Sequence, residues 1–224
     1  MIIWLASYPR SGNTLVRTML YRVFGYKTYS IYDDLNDIGA IDQITERVGH
    51  EFLGMDWSKF YTENKDASRI VFVKTHGHPI DDNPAIYIVR DGRSAIVSWL
   101  NMLRTLRGRK EISIEDLIVG RNVDFGDWSS HVRAWTPTER PSTLLLRYDE
   151  LLSGETSMLD RIASFIATPP RTCWENEFSE LHRLLPHFFN RASDERNIEQ
   201  MSDGDLSLFW RLHGACMREL GFEA

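Results

Sequence analysis

The stretch IIWLASYPRSGNTLVRTMLYRVFG, residues 2–25, decides the fold. Its apolar first part, residues 2–7, has the length and composition of a buried strand. An amphipathic helix follows, and Gly25 ends it. The polar loop between them, residues 8–14, directs backbone N–H groups and the positive end of a helix dipole at one point. We therefore predict a phosphate-binding loop after the first strand.

The side chains of this loop are suited to phosphate oxygens. Arg10 brings a permanent positive charge, and three short side chains can donate hydrogen bonds, those of Ser11, Asn13 and Thr14. Gly12 allows the chain to turn tightly. An ordinary strand-to-helix turn can have the same pattern, so the loop alone does not decide the function.

Three later stretches of the chain resemble the first strand. Each is a short apolar run followed by polar or glycine-containing turn residues, at residues 70–74, 85–89 and 143–147. Helical patterns fill the gaps, and no repeat or low-complexity tract divides the chain. We predict a three-layer α/β/α fold of the P-loop NTPase type, whose mostly parallel central sheet has four to five strands. Ligands of such a sheet bind beyond the carboxyl ends of its strands.

The composition indicates one domain over residues 1–224. The chain is 42% hydrophobic and 12% aromatic, which suffices for one sizeable core. Its formal net charge of −6 provides no general basic field to attract nucleic acid. Cys173 and Cys216 are far apart and indicate neither a zinc site nor a disulfide framework, so a reducing compartment fits best.

The first apolar run also bears on location. It is too short for a signal-peptide core or a membrane span, and no basic region precedes it. We therefore expect a cytoplasmic protein that does not associate with membranes. The sequence leaves a homodimer open.

An ATP-dependent P-loop kinase or nucleotidase is the closest alternative from the residues alone. Its Walker A loop ends in Gly-Lys-Ser/Thr, whereas Asn13 follows Gly12 here. A metal-holding Walker B segment is also missing, because Val89 is followed by Arg90 before Asp91. A third alternative is a non-catalytic nucleotide-binding module that has kept its phosphate loops.

Three motifs resemble those of the PAPS-dependent sulfotransferases, where PAPS is 3'-phosphoadenosine 5'-phosphosulfate. Residues 8–14, YPRSGNT, match that family's Tyr-Pro-Lys/Arg-Ser-Gly-x-Thr loop. Residues 74–76, KTH, stand where the family has Lys-Thr-His, and residues 88–98, IVRDGRSAIVS, look like its 3'-phosphate element. The motifs occur in the family's order and each follows a predicted strand. The resemblance implies a sulfotransferase fold and sulfuryl transfer from PAPS.

The resemblance also implies roles for individual residues. The phosphate loop would bind the 5'-phosphosulfate, while Arg90 and Ser98 would bind the 3'-phosphate. His76 stands at the place of the catalytic base, and an imidazole with a pKa of about 6.5 suits that role at neutral pH. Arg10 and Lys74, from neighbouring strand ends, would stabilise negative charge on the bridging and leaving oxygens.

The resemblance to the family is less complete at the residues that would bind the adenine and at the late segment that would bind the 3'-phosphate. Tyr148, in the stretch RYDEL of residues 147–151, stands where the family has a tyrosine near the adenine. Leu15 replaces the family's usual stacking tryptophan, so the stacking residue is open. Arg191 is the candidate for the family's late Arg-Lys-Gly segment at the 3'-phosphate, although no lysine or glycine accompanies it.

No metal site is predicted. His76 and His78 share a face of an extended segment, but only Asp81 and Asp82 are near in sequence as further ligands. The predicted function is therefore transfer of the sulfuryl group of PAPS to a hydroxyl or amine of a small acceptor, by in-line displacement and without a metal. The other product is PAP, 3'-phosphoadenosine 5'-phosphate.

The sequence leaves the acceptor open. Residues 25–68 predict a loop and one helix, which form either part of an acceptor pocket or a surface cap. Other histidines, including His131 and His213, are interpreted as surface or core residues. The tryptophans are interpreted as core residues.

Overall fold

The computed structural model describes residues 1–32, 38–186, 189 and 194–223. Its strands form one five-stranded sheet in the order β2-β3-β1-β4-β5. The bounds are β1 Ile2–Ser7, β2 Thr28–Ser30, β3 Val71–Thr75, β4 Ala85–Val89 and β5 Thr143–Arg147. All neighbouring strands are parallel. The predicted α/β fold with a central parallel sheet is confirmed.

Helices cover both faces of the sheet. In chain order they are α1 Asn13–Phe24, α2 Asp42–Val48, α3 Trp57–Asn64, α4 Gly92–Leu106, α5 Ile114–Val119, α6 Trp128–Trp135, α7 Tyr148–Ser153, α8 Thr156–Ile166, α9 Phe178–Leu184, α10 Asp194–Ile198 and α11 Asp203–Glu219. A 3₁₀ helix occupies Ile38–Ala40. Within the described ranges, none of the helices is long and apolar enough to cross a membrane.

The central strand β1 is buried on both faces, which explains its unbroken apolar sequence. Trp4 and Ala6 belong to a core that includes residues of α4, α5, α6 and α11. Ile3 and Leu5 belong to the core on the other face, with α1 and α8. A smaller cluster around Leu15 joins α1 to α2, α7 and α9.

The region 25–68 contains more regular structure than the single predicted helix. It holds the short strand β2 and two helices, α2 and α3. β2 pairs with β3 over three residues, beginning at Thr28 opposite Phe72. A three-residue strand is too short to leave a periodic pattern, which is why the sequence did not reveal it.

The four predicted site elements meet at one edge of the sheet. Tyr8 follows β1, His76 follows β3, Arg90 follows β4 and Tyr148 follows β5. Because the strands are parallel, all four positions lie at their carboxyl ends. The strand order reverses beside β1, and this is where open α/β sheets form a ligand crevice.

Candidate active site

The loop after β1 turns sharply before α1 begins. Arg10 has a φ of 65° and Gly12 a φ of 104°, so both adopt left-handed backbone conformations. Such a conformation costs a non-glycine residue roughly 1–3 kcal/mol, and it occurs preferentially at functional sites. At Gly12 a Cβ atom would lie 2.7 Å from Cδ2 of Tyr148. Only glycine therefore allows the phosphate loop to pack this closely against α7.

A cavity of about 450 Å³ opens at this edge of the sheet. Most of the predicted site residues line it: Arg10, Gly12, Asn13, Thr14, Lys74, His76, Arg90, Ser98 and Tyr148. Ser11 does not line it, and Arg191 lies outside the described residues. The cavity also has lining residues that the sequence did not indicate, among them Tyr32, Trp99, Met102, Leu103, Arg107, Arg109, Asp124, Phe125, Phe178, Phe189 and Asn197.

Hydrogen bonds fix two arginine side chains, which come from two strand ends, at what we call the donor end of the cavity, formed by Arg10, Arg90, Ser98 and Tyr148. Arg10 Nε donates to Ser98 Oγ at 3.2 Å, and Arg90 Nη1 donates to the carbonyl oxygen of Arg10 at 3.0 Å. The guanidinium carbon of Arg90 lies 4.2 Å from the ring centre of Tyr148. Positive charge is thus concentrated in a chain of net charge −6, as a polyanionic ligand requires.

His76 lies at what we call the base end, together with Tyr32 and Phe125. His76 Nδ1 lies 2.8 Å from the carbonyl oxygen of Ser7. Because a carbonyl only accepts hydrogen bonds, Nδ1 carries the proton of the neutral ring and Nε2 is its basic nitrogen. The His76 backbone N–H donates to the Tyr32 hydroxyl at 2.7 Å. The Tyr32 and Phe125 rings each lie 5.7 Å from the imidazole.

Lys74 joins the two ends of the cavity. It is only 6% exposed, and its Nζ lies 5.6 Å from the Tyr32 ring centre. It precedes His76 by two residues, so one strand end supplies both a cation and a base to the same cavity.

Three buried polar atoms of the phosphate loop have no hydrogen-bond partner among the described residues: the Tyr8 hydroxyl oxygen, Ser11 Oγ and Asn13 Oδ1. The Asn13 amide nitrogen donates to the Leu5 carbonyl oxygen at 2.8 Å, which ties the first turn of α1 to β1. An unsatisfied buried hydroxyl costs about 1–3 kcal/mol. A ligand phosphate that completed the hydrogen bonding of Ser11 would therefore be stabilised at this loop.

A second cavity of about 340 Å³ lies beside the base end. Its wall is mainly aromatic and apolar: Trp4, Ile31, Trp57, Thr75, Gly77, His78, Pro79, Ile80, Asp124, Phe125 and Trp135. Thr75 and Gly77 flank His76 in sequence, and both cavities are lined by Asp124 and Phe125. The second cavity is therefore adjacent to His76.

No group of three or more His, Cys, Asp or Glu side chains in the described part of the chain is arranged to hold a metal ion. His78 is exposed, and its ring lies 5.9 Å from that of His131. The absence of a metal from the reaction stays a prediction.

A glycine-containing loop after the central strand of a parallel sheet, with arginines and a histidine at neighbouring strand ends, is typical of a protein that binds a phosphate-bearing nucleotide. The family model described as "Sulfotransferase domain" matches residues 2–192, and the chain belongs to this family. Membership confirms the predicted reaction, PAPS-dependent sulfuryl transfer, and does not favour the kinase, nucleotidase or non-catalytic alternatives.

Individual relatives are distant in sequence. Human sulfotransferase 4A1 is 24% identical over 217 residues, covering 90% of this chain and 70% of its own. The luciferin sulfotransferase of Photinus pyralis is 22% identical over 245 residues, covering 96% of this chain and 64% of its own.

Solved structures are similar in fold. Mouse sulfotransferase SULT7A1, in complex with PAP, superimposes with a TM-score of 0.66 at 18% identity, over 97% of this chain and 87% of its own. Retinol dehydratase, in complex with androsterone and the inactive cofactor PAP, has a TM-score of 0.65 at 16% identity, over 100% of this chain and 82% of its own.

Proposed function

We propose that His76 is the general base for transfer of the sulfuryl group of PAPS to a hydroxyl or amine of a small acceptor. One observation carries the proposal. A single cavity is lined by Arg10, Lys74 and Arg90, from three strand ends, and by a histidine whose Nε2 is basic. Its volume of about 450 Å³ lies in the range of small-molecule sites, about 300–1,000 Å³.

The two phosphate-bearing ends of PAPS require two anion sites. We assign the 5'-phosphosulfate to the phosphate loop with Lys74, and the 3'-phosphate to Arg90 and Ser98. Stacking on Tyr148 and the hydrogen bond to the Arg10 carbonyl orient the Arg90 guanidinium, and a planar guanidinium can bind a phosphate through two parallel hydrogen bonds. A contact of Arg191 with the 3'-phosphate stays a prediction.

Aromatic side chains near Leu15 offer a platform for the adenine. Leu15, Tyr148 and Phe189 belong to one apolar cluster, which Phe178 packs against. The Phe178 and Phe189 rings lie 6.4 Å apart, are nearly perpendicular and both line the cavity. Phe178 or Phe189 can therefore stack on the adenine in place of the family's usual tryptophan, whose position Leu15 occupies here.

The residues at the base end perform the proton transfer. As the acceptor oxygen forms its bond to sulfur, its proton passes to His76 Nε2, and the Ser7 carbonyl stabilises the resulting imidazolium through Nδ1–H. PAPS supplies the sulfuryl group, and the bond between sulfur and the 5'-phosphate breaks with its electron pair on the phosphate oxygen. Arg10 and Lys74 offset the charge that develops there.

The second cavity is suited to the body of the acceptor. Its tryptophans present apolar ring surface, because the indole N–H groups of Trp4 and Trp135 are used in hydrogen bonds to Asp81 and the Gly77 carbonyl. Ile80, at 62% exposed, adds apolar surface. An acceptor with a flat apolar body in this cavity would present its hydroxyl or amine to His76 past Phe125.

The donor assignment is tested by the melting temperature of the protein. PAP at 100 times its Kd stabilises the fold by about 2.7 kcal/mol, a shift of roughly 5–10 °C for a chain of this size. We expect this shift to occur also in the presence of EDTA. We further expect the protein to transfer a radiolabelled sulfuryl group from PAPS to 2-naphthol, which serves as a probe acceptor. A larger shift with ATP and magnesium than with PAP would contradict the proposal.

Other expectations about the protein also stay proposals. We expect a cytoplasmic location, in keeping with the free cysteines Cys173 and Cys216, of which Cys173 is exposed. We expect small-molecule partners rather than nucleic acid or membranes.

A further inference from the structure

Two side chains of α6 bind the two consecutive carbonyl groups of His76 and Gly77. β3 ends at Thr75, so the carbonyl groups of His76 and Gly77 lie beyond the hydrogen-bonding ladder of the sheet. His131 Nε2 lies 2.9 Å from the His76 carbonyl oxygen, and Trp135 Nε1 donates to the Gly77 carbonyl oxygen at 2.9 Å. Residues four apart share one face of a helix, so consecutive carbonyls are bound by one helical surface.

The protonation state of His131 follows from its partners. The His76 carbonyl only accepts, so His131 Nε2 carries a proton, and Nδ1 accepts from the Tyr87 hydroxyl at 2.9 Å. His131 is fully buried, and this burial lowers its pKa to about 3. The side chain is therefore a neutral, fixed donor, and no role in the reaction assigned so far uses it.

We propose that His131 and Trp135 form a carbonyl clamp that sets the orientation of His76, with His131 as a positioning residue of the transfer reaction. The inference rests on the proposed role of His76 as the base. The clamp holds the backbone carbonyl, Tyr32 binds the backbone N–H, and the Ser7 carbonyl accepts from Nδ1. Each polar group that fixes the direction of Nε2 thus has a partner on a different element.

The clamp matters because proton transfer is sensitive to geometry. A general base must lie about 2.6–3.2 Å from the proton donor, and a displacement of about 1 Å can lower a rate 100-fold. Without His131 the part-buried His76 carbonyl loses this hydrogen bond, which favours rotation of the peptide towards another donor. We expect His131→Leu to lower kcat about 10- to 100-fold.

The two clamp residues differ in a way that separates their effects. His131 lines neither cavity, so its loss should leave the acceptor KM unchanged. Trp135 lines the second cavity as well as binding Gly77, so Trp135→Phe should lower kcat and also raise the acceptor KM. A purely structural role would not produce this division.

His213 offers a matched control. It is 1% exposed, its Nε2 donates to the Ile118 carbonyl oxygen at 2.8 Å, and its Nδ1 accepts from Ser129, also on α6, at 2.8 Å. It therefore has the hydrogen-bonding pattern of His131 without contact to His76. His213→Leu should lower the melting temperature as His131→Leu does, yet keep the wild-type kcat.

The experiment compares His131→Leu, His131→Gln and His213→Leu in the full chain. We would measure kcat and KM with PAPS and 2-naphthol, the PAP melting shift, and the nitrogen-15 chemical shifts of His76. We expect His131→Leu to have a lower kcat and an unchanged PAP melting shift. The nitrogen-15 shifts of its His76 should change from those of a single tautomer to those of a mixture of tautomers. The glutamine amide can still donate, so His131→Gln should recover most of the activity.

The outcomes separate the clamp from the proposed function. A wild-type kcat and an unchanged His76 spectrum in His131→Leu would overturn the clamp alone. Absence of a PAP shift in the wild-type protein would instead overturn the donor site, while the His76 spectrum would still test the clamp. If His131→Leu does not fold, Tyr87→Phe removes the hydroxyl that fixes the His131 tautomer and should give the same changes at smaller size.

Discussion

At the donor end of the cavity, the side chains held in place are charged guanidinium groups, whereas at the base end uncharged rings and peptide groups hold a histidine. Arg10 and Arg90 share hydrogen bonds with Ser98 and with the loop backbone. His76 instead contacts the Tyr32 hydroxyl, the Phe125 ring and the His131 imidazole. The donor end is organised to attract charge, and the base end to fix one nitrogen.

This difference matches what each end has to do. An anion is bound by several cations at once, each of which contributes its own charged hydrogen bonds. A general base works from one direction only, so it needs an enclosed and fixed environment. Substitutions of Arg90 or Ser98 should therefore change mainly the affinity for PAP, and substitutions at the base end should change mainly the rate. A substitution of Arg10 should change both, because Arg10 also offsets the charge that develops on the leaving phosphate.

The largest expected effect is at His76 itself. His76→Gln removes the basic nitrogen, and loss of a general base lowers kcat by about 10²–10⁴-fold. The PAP melting shift should keep its wild-type size, because the donor end is intact. Steady-state transfer from PAPS to 2-naphthol checks the rate. A PAP shift lost together with the rate would show that the two ends are not separable.

The next largest effect is at Arg90. Arg90→Met removes a charged hydrogen-bond donor worth about 1.5–3 kcal/mol, so PAP affinity should fall about 10- to 100-fold. Adenosine 5'-phosphosulfate, which lacks the 3'-phosphate, serves as the matched ligand. Its affinity, measured by calorimetry, should not change in the variant. Equal losses for both ligands would move Arg90 away from the 3'-phosphate.

Most of the donor end could be predicted from the sequence because Arg10, Arg90 and Tyr148 each come shortly after a strand. Arg10, Lys74 and Arg90 each stand next to an apolar run, so strand prediction alone brings them to one edge of the sheet. The order of the three motifs then identified the reaction. The phosphate loop gave a further signal in Gly12, whose left-handed φ and contact with Tyr148 the structure explains.

The base end could be predicted only in part. His76 follows a strand, but the residues that hold it come from segments without a local signal. Tyr32 lies 44 residues before it and His131 lies 55 residues after it. His131 was interpreted as a surface or core residue and Trp135 as a core residue, and the structure buries both. A helical histidine gives no indication in sequence of which carbonyl it will meet.

A smaller effect is expected in the second cavity. Trp57→Ala removes one aromatic wall, and an aromatic contact contributes about 0.5–1.5 kcal/mol beyond its buried area. The KM for 2-naphthol should rise about 3- to 10-fold, while the PAP shift stays constant. Trp210→Ala, which removes a tryptophan stacked on Arg93 away from both cavities, is the control. An unchanged KM would place the acceptor elsewhere.

The smallest expected effect is the response of the base end to acid. Burial lowers the pKa of His131 to about 3 and also lowers that of His213, whereas an unfolded histidine titrates at about 6.5. Below pH 6.5 the unfolded chain therefore binds protons that the folded chain does not, so stability falls as the pH falls. His131 alone should cost about 0.7 kcal/mol between pH 7 and pH 6.

Urea unfolding at pH 7 and pH 6 measures this fall in the free energy of unfolding. His131→Gln has no imidazole at this position, so the fall should be smaller in this variant by about 0.7 kcal/mol. The arginines of the donor end stay charged throughout this range, and His131 lines neither cavity. The PAP melting shift should therefore be the same in His131→Gln as in the wild-type protein. If His131→Gln keeps the full pH dependence, another group that is neutral in the fold, such as His213, must account for it. In that case His131 would not be the source of the pH dependence, and the base end would respond to mild acid no more than the donor end does.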